Sequence, residues 1–362
     1  MIHEGYMKLA LTLARRRKGL THPNPTVGCV IVKNGEIVGL GNHLRAGEPH
    51  AEIVALHHAG ERAKGADMYL TLEPCTHWGR TPPCTESIIK AGIKRVFVAT
   101  TDPNPVIAGG GVKRLKSAGI EVYVGLCGEE AKTLNEDFFT YISSDRPYIT
   151  LKLAQSIDGR IAAKGGNSKW ITSERARTYA HRLRMEATAV LVGINTVLKD
   201  NPLLTVRYFP SEHNPVRVVI DPSLKISPDH NLVRDDSSLR LIYFSSSDSE
   251  KVRRLTDMGV QLIRMESLNL KEILKDLRSR DVVHLLVEGG ADTVTRFIRE
   301  GLWDRLVVFT APKILGEGIG LGDLGIEKVS SAPELKLRRE IPLGDERIFE
   351  YIPVIEKGGL RW

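Results

Sequence analysis

Hydrophobic and polar positions near the start of the chain follow first a helical and then a strand period. Apolar residues recur on a helical spacing through 3–18, where a basic run precedes Gly19, and this predicts an N-terminal helix. Two apolar runs at 27–32 and 37–41 flank Asn34-Gly35, a dipeptide typical of two-residue β-hairpin turns. The pattern therefore predicts a helix followed by an antiparallel strand pair.

Beyond the hairpin, helical and strand periods continue to alternate. In order, the pattern predicts a helix at 51–56, a strand at 67–72, a helix from Cys84, a strand at 96–99, a helix at 112–118, a strand at 121–124 and a helix at 129–141. Alternating strands and helices of this kind indicate a layered α/β sandwich.

A polar break at 143–147 (SSDRP) separates this region from a second α/β pattern. We place a domain boundary there, which gives a first domain at 1–145 and a second at 146–362. The second pattern predicts strands at 148–154, 189–193, 216–220, 239–244, 260–263, 282–287 and 305–309. This half is long enough to form an enzyme domain of its own.

Composition and charge narrow the function classes. The 362 residues carry 51 basic and 44 acidic side chains, interleaved along the chain, so the net charge of +7 does not favour nucleic-acid binding. Small phosphorylated ligands account for this charge equally well. The sequence shows no secretory signal, no membrane-spanning run and only four cysteines, and we expect a cytoplasmic protein with no membrane partner.

Four residues in the first domain have the order and spacing of a catalytic zinc site. His50 and Glu52 lie at the start of a predicted helix, and Cys75 and Cys84 follow a predicted strand. One imidazole and two thiolates give three protein ligands, and a tetrahedral zinc then keeps its fourth position open for water. Zinc lowers the pKa of that water to about 7, and Glu52 is placed to carry its proton to a leaving amine.

The order His-x-Glu, Pro-Cys and a second Cys is the signature of zinc deaminases that attack a nucleobase. Taken singly, each of these residues is more often an ordinary buried or solvated side chain. The eight residues between Cys75 and Cys84 exceed the two that most deaminases have. A structural zinc module is the non-catalytic alternative, and it requires a fourth protein ligand, for which His77 is the candidate in that loop.

The second domain carries weaker signals. An apolar strand runs into Glu288, Gly289 and Gly290 and then into a predicted helix, a turn that lets a phosphate approach the backbone. Arg184 and Arg207 are candidates for a substrate phosphate because the planar guanidinium suits it. No Gly-x-Gly-x-x-Gly follows a strand, so a standard dinucleotide-binding fold is not supported.

Over its full length the chain resembles the bifunctional deaminase/reductase family of riboflavin biosynthesis. The matching segments are 24–28 (NPTVG), 50–52 (HAE), 74–84 (PCTHWGRTPPC), 102–105 (DPNP), 152–160 (KLAQSIDGR), 193–207, 221–223 (DPS) and 287–290 (VEGG). The long gap between the cysteines is a property of this family.

The resemblance implies a cytidine-deaminase-like three-layer sandwich followed by a dihydrofolate-reductase-like domain. It implies zinc-dependent deamination of 2,5-diamino-6-(ribosylamino)-4(3H)-pyrimidinone 5′-phosphate in the first domain. It also implies reduction of the ribosyl group to ribityl with NADPH in the second. The expected partner is this small phosphorylated pyrimidine, and we expect a homo-oligomer.

The resemblance also assigns residues. His50, Cys75 and Cys84 become the zinc ligands and Glu52 the proton shuttle, while the deaminase pocket is lined by Asn24, His43, His77 and Arg80, the last standing where many relatives have lysine. The reductase substrate is held by Lys152, Ser168, Arg184, Leu204, Arg207 and Glu288. NADPH is held by Ala154, Trp170, Thr196, Asp200, Ser223, Gly290, Ala291, Asp292, Thr293, Val294, Thr295 and Arg296. No side chain is identified as the acid of the reduction.

The alternative enzyme is a zinc deaminase acting on tRNA or a free nucleotide, with a second domain that only binds substrate. It shares Glu52 and the metal ligands, so the first domain alone does not exclude it.

Overall fold

The computed structural model describes residues 2–76, 83–104, 108–356 and 359–360. Contacts along the chain divide it into two units, Met1–Asp145 and Arg146–Trp362. None of the helices in the described ranges is both long enough and apolar enough to cross a membrane.

The first unit is a five-stranded sheet between two layers of helices. Its elements are α1 (Ile2–Arg15), β1 (Gly28–Lys33), β2 (Glu36–Asn42), α2 (Ala51–Ala59), β3 (Asp67–Leu70), α3 (Cys84–Lys90), β4 (Arg95–Val98), α4 (Gly110–Ser117), β5 (Glu121–Val124), α5 (Gly128–Leu134) and α6 (Glu136–Ser143). The strand order is β2-β1-β3-β4-β5, in which β1 pairs antiparallel with β2 and β3, and β3, β4 and β5 are parallel. The predicted hairpin around Asn34-Gly35 is confirmed.

Alternation along β1 and β3 explains the three layers, because successive strand side chains point to opposite faces. Val30 and Tyr69 pack with Met7 and Leu11 of α1 on one face. The intervening residues of the same strands pack on the other face with α2, α3 and α4; they are Cys29, Ile31, Met68 and Leu70. Both faces of the sheet are therefore buried.

Glycines on β2 let α2 lie directly on the sheet. A Cβ atom on Gly41 would come within 2.1 Å of the Ala51 carbonyl oxygen, and one on Gly39 within 2.4 Å of the Ala55 carbonyl oxygen. Any side chain at these positions would collide with helix backbone. The first turn of α2, which carries Glu52, is thereby held close to the strands.

The single helix predicted over 129–141 is wrong, because the structure has two helices, α5 and α6, that meet at Asn135. The buried Asn135 amide accepts a hydrogen bond from the Thr26 backbone N–H (2.7 Å) and donates one to the Thr26 carbonyl (2.9 Å). This long-range pairing fixes Asn135 at the junction between the two helices. Apolar periodicity does not reveal it.

The second unit is built on a nine-stranded sheet. Its elements are β6 (Tyr148–Ser156), α7 (Glu174–Glu186), β7 (Ala189–Gly193), α8 (Ile194–Asp200), β8 (Val216–Ile220), α9 (Asn231–Arg234), β9 (Arg240–Phe244), α10 (Ser249–Asp257), β10 (Gln261–Arg264), α11 (Leu270–Ser279), β11 (His284–Val287), α12 (Ala291–Arg299), β12 (Arg305–Ala311), β13 (Leu335–Leu343) and β14 (Glu346–Pro353), followed by the short pair β15 (Ile355–Glu356) and β16 (Gly359–Leu360). The strand order is β10-β9-β8-β7-β11-β6-β12-β14-β13.

Neighbouring strands from β10 to β12 are parallel, and β14 and β13 add an antiparallel edge. The seven predicted strands are confirmed, whereas β13 and β14 were not predicted. Apolar clusters lie on both faces of the sheet. The carboxyl ends of β6, β7 and β11 therefore meet at one edge, where open parallel sheets bind their ligands.

Candidate functional site

Three potential metal ligands converge in the first unit. The ligand atoms of His50, Cys75 and Cys84 all lie within 4.8 Å of one another, and they form the one such group found in the described ranges. His50 Nδ1 is 3.1 Å from Cys84 Sγ and 3.8 Å from Cys75 Sγ. A tetrahedral zinc with Zn–S near 2.3 Å and Zn–N near 2.0 Å holds such atoms about 3.5 Å apart. The donor set and its spacing therefore fit zinc.

Local backbone structure fixes the three ligands. His50 is the residue before α2, and Cys84 is the first residue of α3. Cys75 lies in the loop after β3, where its sulfur accepts the Cys84 backbone N–H (3.4 Å) and its carbonyl accepts the Thr85 N–H (3.3 Å). The first residues of two helices, and a loop that is hydrogen-bonded to one of those helices, therefore hold the three ligands in place.

The protonation of the two cysteines also fits a bound cation. Hydrogen bonding with Cys84, followed by that with His50, lowers the pKa of Cys75 to about 4. Contact with Cys75, together with burial, raises the pKa of Cys84 far above its ordinary range. Without a cation, the hydrogen bond between the two sulfurs favours a thiolate at Cys75 and a thiol at Cys84, because two adjacent thiolates would also repel each other. A divalent cation between them removes that repulsion.

Glu52 is a buried carboxyl beside this cluster. Only 3% of the residue is exposed, and burial raises its pKa to about 6 although His50 acts in the opposite direction. Its side chain is within hydrogen-bonding reach of the Cys84 thiol. A carboxyl with a pKa near neutrality can both accept and release a proton, as a proton shuttle must.

Two predicted pocket residues adjoin the cluster. The ring of His43 meets that of His50 edge-on at 5.3 Å between centroids. His43 Nδ1 donates to the Pro49 carbonyl (3.2 Å), which leaves Nε2 to accept from the Asn24 amide (3.1 Å). Burial lowers the pKa of His43, so this neutral tautomer is favoured. His77 and Arg80 lie outside the described residues.

The second unit contains a cavity of about 640 Å³ at the carboxyl edge of its sheet. Every residue predicted to hold the reductase substrate lines it, namely Lys152, Ser168, Arg184, Leu204, Arg207 and Glu288. So do seven of the residues predicted to hold NADPH: Ala154, Trp170, Thr196, Asp200, Gly290, Ala291 and Asp292. The fold thus gathers residues that are up to 140 positions apart in the sequence.

A buried ion pair lies in the wall of this cavity. Arg184 donates to both Glu288 oxygens, at 2.6 and 2.9 Å, and to the Thr205 carbonyl at 3.0 Å. Burial opposes ionisation of Glu288, but the Arg184 charge outweighs it and holds the Glu288 pKa below its ordinary value. Lys152 is enclosed nearby, 5.2 Å from the centre of the Phe309 ring, and burial lowers its pKa.

The glycine turn before α12 forms a cradle suited to a phosphorylated cofactor. The Gly290 backbone N–H donates to Thr196 Oγ1 at 3.2 Å. A Cβ on Gly289 would come within 2.4 Å of the Thr293 Cβ, so only glycine fits there. A helix start without side chains in front of it offers backbone N–H groups to an anion. These residues therefore fit NADPH.

The remaining predicted NADPH residues do not line the cavity. Ser223 is exposed just beyond the carboxyl end of β8. Thr293 packs against Gly193 and Gly289, and Val294 and Thr295 are buried within α12. Arg296 donates to Glu300 and to the Leu268 carbonyl. Only the first turn of α12 faces the cavity.

Sequence reasoning missed several lining residues on α7. Arg177 stacks over Trp170, with its guanidinium carbon 4.4 Å from the ring centre. His181, one helical turn further, also faces the cavity. No local motif marks either residue, and only the helical spacing of Arg177, His181 and Arg184 could have suggested a shared face.

Comparisons with known proteins match both units. Residues 1–100 match the cytidine and deoxycytidylate deaminase zinc-binding region, and residues 147–346 match the RibD C-terminal domain. The riboflavin biosynthesis protein RibD of Aquifex aeolicus is 55% identical over 96% of this chain and 97% of its own, and that of Escherichia coli is 43% identical over 93% and 96%.

Solved structures agree over the full length. Acinetobacter baumannii RibD superposes with a TM-score of 0.89 at 38% identity, covering 98% of this chain and 99% of its own. A diaminohydroxyphosphoribosylaminopyrimidine deaminase/5-amino-6-(5-phosphoribosylamino)uracil reductase from Thermotoga maritima gives the same score, identity and coverage.

Proposed function

The chain belongs to the RibD family of riboflavin biosynthesis proteins, and on that basis we propose that its metal centre and its cavity act in turn on one phosphorylated pyrimidine. It is a bifunctional enzyme, a zinc-dependent deaminase and an NADPH-dependent reductase. The predicted fold class, a cytidine-deaminase-like sandwich followed by a reductase domain, is confirmed. The alternative of a second domain that only binds substrate is not supported.

The proposed substrate is 2,5-diamino-6-(ribosylamino)-4(3H)-pyrimidinone 5′-phosphate. Hydrolysis replaces its 2-amino group with the oxygen of water and releases ammonia. Reduction then converts the ribosyl group to ribityl. The observation that carries the proposal is the convergence of His50, Cys75 and Cys84 beside the buried carboxyl of Glu52.

In the deaminase site, His50, Cys75 and Cys84 hold zinc, which when bound lowers the pKa of water to about 7. Glu52 accepts the proton of the attacking water and delivers it to the departing amine. Asn24 and His43 form a neutral wall that orients the pyrimidine. His77 and Arg80 are proposed to complete this pocket.

In the reductase site, six of the residues that line the cavity hold the substrate. They are Lys152, Ser168, Arg184, Leu204, Arg207 and Glu288. NADPH, which supplies the hydride, is proposed to be held by Ala154, Trp170, Thr196, Asp200 and the turn from Gly290 to Asp292, all of which line the cavity. The other residues expected to hold it, Ser223 and Thr293 to Arg296, lie outside the lining and would at most support this turn. The protein's main task here is to orient two phosphorylated molecules against each other.

Three further proposals complete the assignment. The deaminase domain is residues 1–145 and the reductase domain residues 146–362. The enzyme acts in the cytoplasm. It assembles as a homo-oligomer.

Mass spectrometry of the products tests both steps at once. Incubation without NADPH should raise the substrate mass by about one dalton, the difference between an amino group and a carbonyl oxygen. Addition of NADPH should raise it by a further two. A product that gains two daltons without first gaining one would contradict the proposed order.

A further inference from the structure

His181 is a buried imidazole whose tautomer is set by the backbone. The residue lies on α7, is 4% exposed, and its Nδ1 is 3.0 Å from the Arg207 backbone nitrogen. A backbone N–H can only donate, so Nδ1 must carry a lone pair rather than a proton. In the neutral ring the proton is therefore on Nε2.

Nothing in the described part of the chain accepts a hydrogen bond from His181 Nε2, and the side chain faces the cavity. The ring is also held in orientation. The Tyr208 ring packs against it in a tilted arrangement, with 4.5 Å between centroids and 46° between ring planes, and the Tyr208 hydroxyl accepts a hydrogen bond from Arg177 Nε at 3.0 Å. A donor without a partner is thus fixed in the wall of a ligand site.

Positive charge is in excess around this donor. Glu288 is paired with Arg184 and also attracts Lys152 and Arg207, so one carboxylate faces three cations here. Across the described ranges Arg207 forms no ion pair, and its Nη1 donates to Thr205 Oγ1 at 2.9 Å. Burial, followed by the charges of Arg184 and Arg207, lowers the pKa of His181 to about 4. The ring therefore stays a neutral donor at physiological pH.

We propose that His181 is a substrate-binding residue of the reductase site, whose Nε2–H donates a hydrogen bond to the substrate phosphate while its Nδ1 holds the Arg207 backbone in place. This inference rests on the proposed function. A phosphate offers only hydrogen-bond acceptors and carries negative charge, so a fixed N–H donor beside the Arg207 cation can give it a charge-assisted hydrogen bond.

Two isosteric variants separate the two nitrogens. His181→Asn keeps an acceptor near Nδ1 but does not reach the Nε2 position, whereas the amide of His181→Gln reaches it. Because a hydrogen bond to a charged group contributes a factor of about ten or more, His181→Asn should raise the KM for the pre-deaminated phosphorylated substrate about tenfold. Its kcat should change less than about threefold, and His181→Gln should recover most of the loss.

The phosphate itself is tested with two probes. Inorganic phosphate should inhibit reduction by the wild-type enzyme, and its inhibition constant should rise about tenfold in His181→Asn. With the dephosphorylated substrate, wild type and His181→Asn should have equal KM values. An equal loss on both substrates would overturn the proposal, since the contact would not involve the phosphate.

A measurement on the unmodified protein covers the case in which the variants do not fold. Nitrogen-15 NMR of the histidine side chains should show His181 protonated on Nε2, with a resonance that shifts when inorganic phosphate is added. An Nδ1-protonated ring, or no shift at saturating phosphate, would overturn the proposal. Failure of the wild type to reduce the substrate would instead overturn the proposed function.

Discussion

The metal centre and the reductase cavity are built in opposite ways. His50, Cys75 and Cys84 lie within 35 consecutive positions, at helix starts and in a loop after a strand. The cavity draws Lys152, Arg184 and Glu288 from β6, from α7 and from the end of β11. A site whose residues lie close together in the sequence can therefore be recognised as a motif. A site whose residues come from distant strands and helices can be recognised only from the structure.

The two sites also balance charge differently. In the metal centre, two neighbouring sulfurs cannot both ionise without a cation, so the negative charge of two thiolates has to be balanced by a metal ion from outside the chain. In the cavity, by contrast, the buried carboxylate of Glu288 is paired with a cation of the chain itself, Arg184. Loss of a group should therefore release metal in the first site and destabilise the fold in the second.

The largest effect is expected from Cys75→Ser. Removal of one sulfur from a three-ligand site should release zinc and abolish ammonia production, because a serine hydroxyl is a poor zinc ligand. Reduction of the pre-deaminated substrate should stay within about twofold of wild type. Metal analysis and the two activity assays check this, with Cys127→Ser, which lies outside the cluster, as the control. Loss of both activities would show that the two sites are not independent.

Glu52→Gln should have the next largest effect. A proton shuttle contributes about 100- to 10,000-fold to a rate, so ammonia release should fall by that factor while zinc content stays at the wild-type level. Glu61, an exposed carboxylate nine positions further along the chain, provides the control, and Glu61→Gln should be fully active. Wild-type deamination by Glu52→Gln would mean that another group moves the proton.

Glu288→Gln should destabilise the second unit. Removing one partner of a buried pair leaves the Arg184 charge uncompensated, at a cost of about 3–5 kcal/mol. The double change Arg184→Met with Glu288→Leu should restore most of the stability without restoring reduction. Thermal unfolding measures both variants.

A matched surface pair on the same helix serves as the control for this experiment. Arg182 Nε contacts Glu186 at 3.2 Å, and the Arg182 side chain is 54% exposed. Arg182→Ala should cost less than about 1 kcal/mol. Equal destabilisation by the two changes would indicate that the Arg184–Glu288 pair is solvated in solution.

The smallest effect is a pH dependence of stability at His181. Its pKa is about 4 in the folded chain and near 6.5 when unfolded, so the unfolded state binds the extra proton between these values. Stability from this residue is present above pH 6.5 and is lost as pH falls toward 4. At pH 5 the loss should be about 1–2 kcal/mol relative to pH 7.

A comparison of wild type with His181→Gln isolates the contribution of His181 to the pH dependence of the free energy of unfolding. Both proteins share every other titrating group, so the difference between their unfolding midpoints should shrink at pH 5 compared with pH 7. A difference that does not depend on pH would show that His181 keeps an ordinary pKa.

The sequence predicted most of the strands and the convergence of His50, Cys75 and Cys84, for physical reasons. Buried parallel strands such as β7 are continuous apolar runs, and the Asn34-Gly35 dipeptide is typical of a hairpin turn. β13 escaped detection because it is an edge strand whose side chains are mostly exposed, so its pattern is polar. The break at Asn135 and the orientation of His181 depend on partners at Thr26 and Arg207, which no local period encodes.

Two glycines on β2 influence the geometry of the metal site. Since Gly39 and Gly41 allow the α2 backbone to lie against the strand, the depth at which His50 meets the two sulfurs is set by positions that never touch the ion. Even an alanine at Gly41 would lift the helix start. We therefore expect substitutions at these two glycines to weaken zinc binding, although neither residue is a ligand.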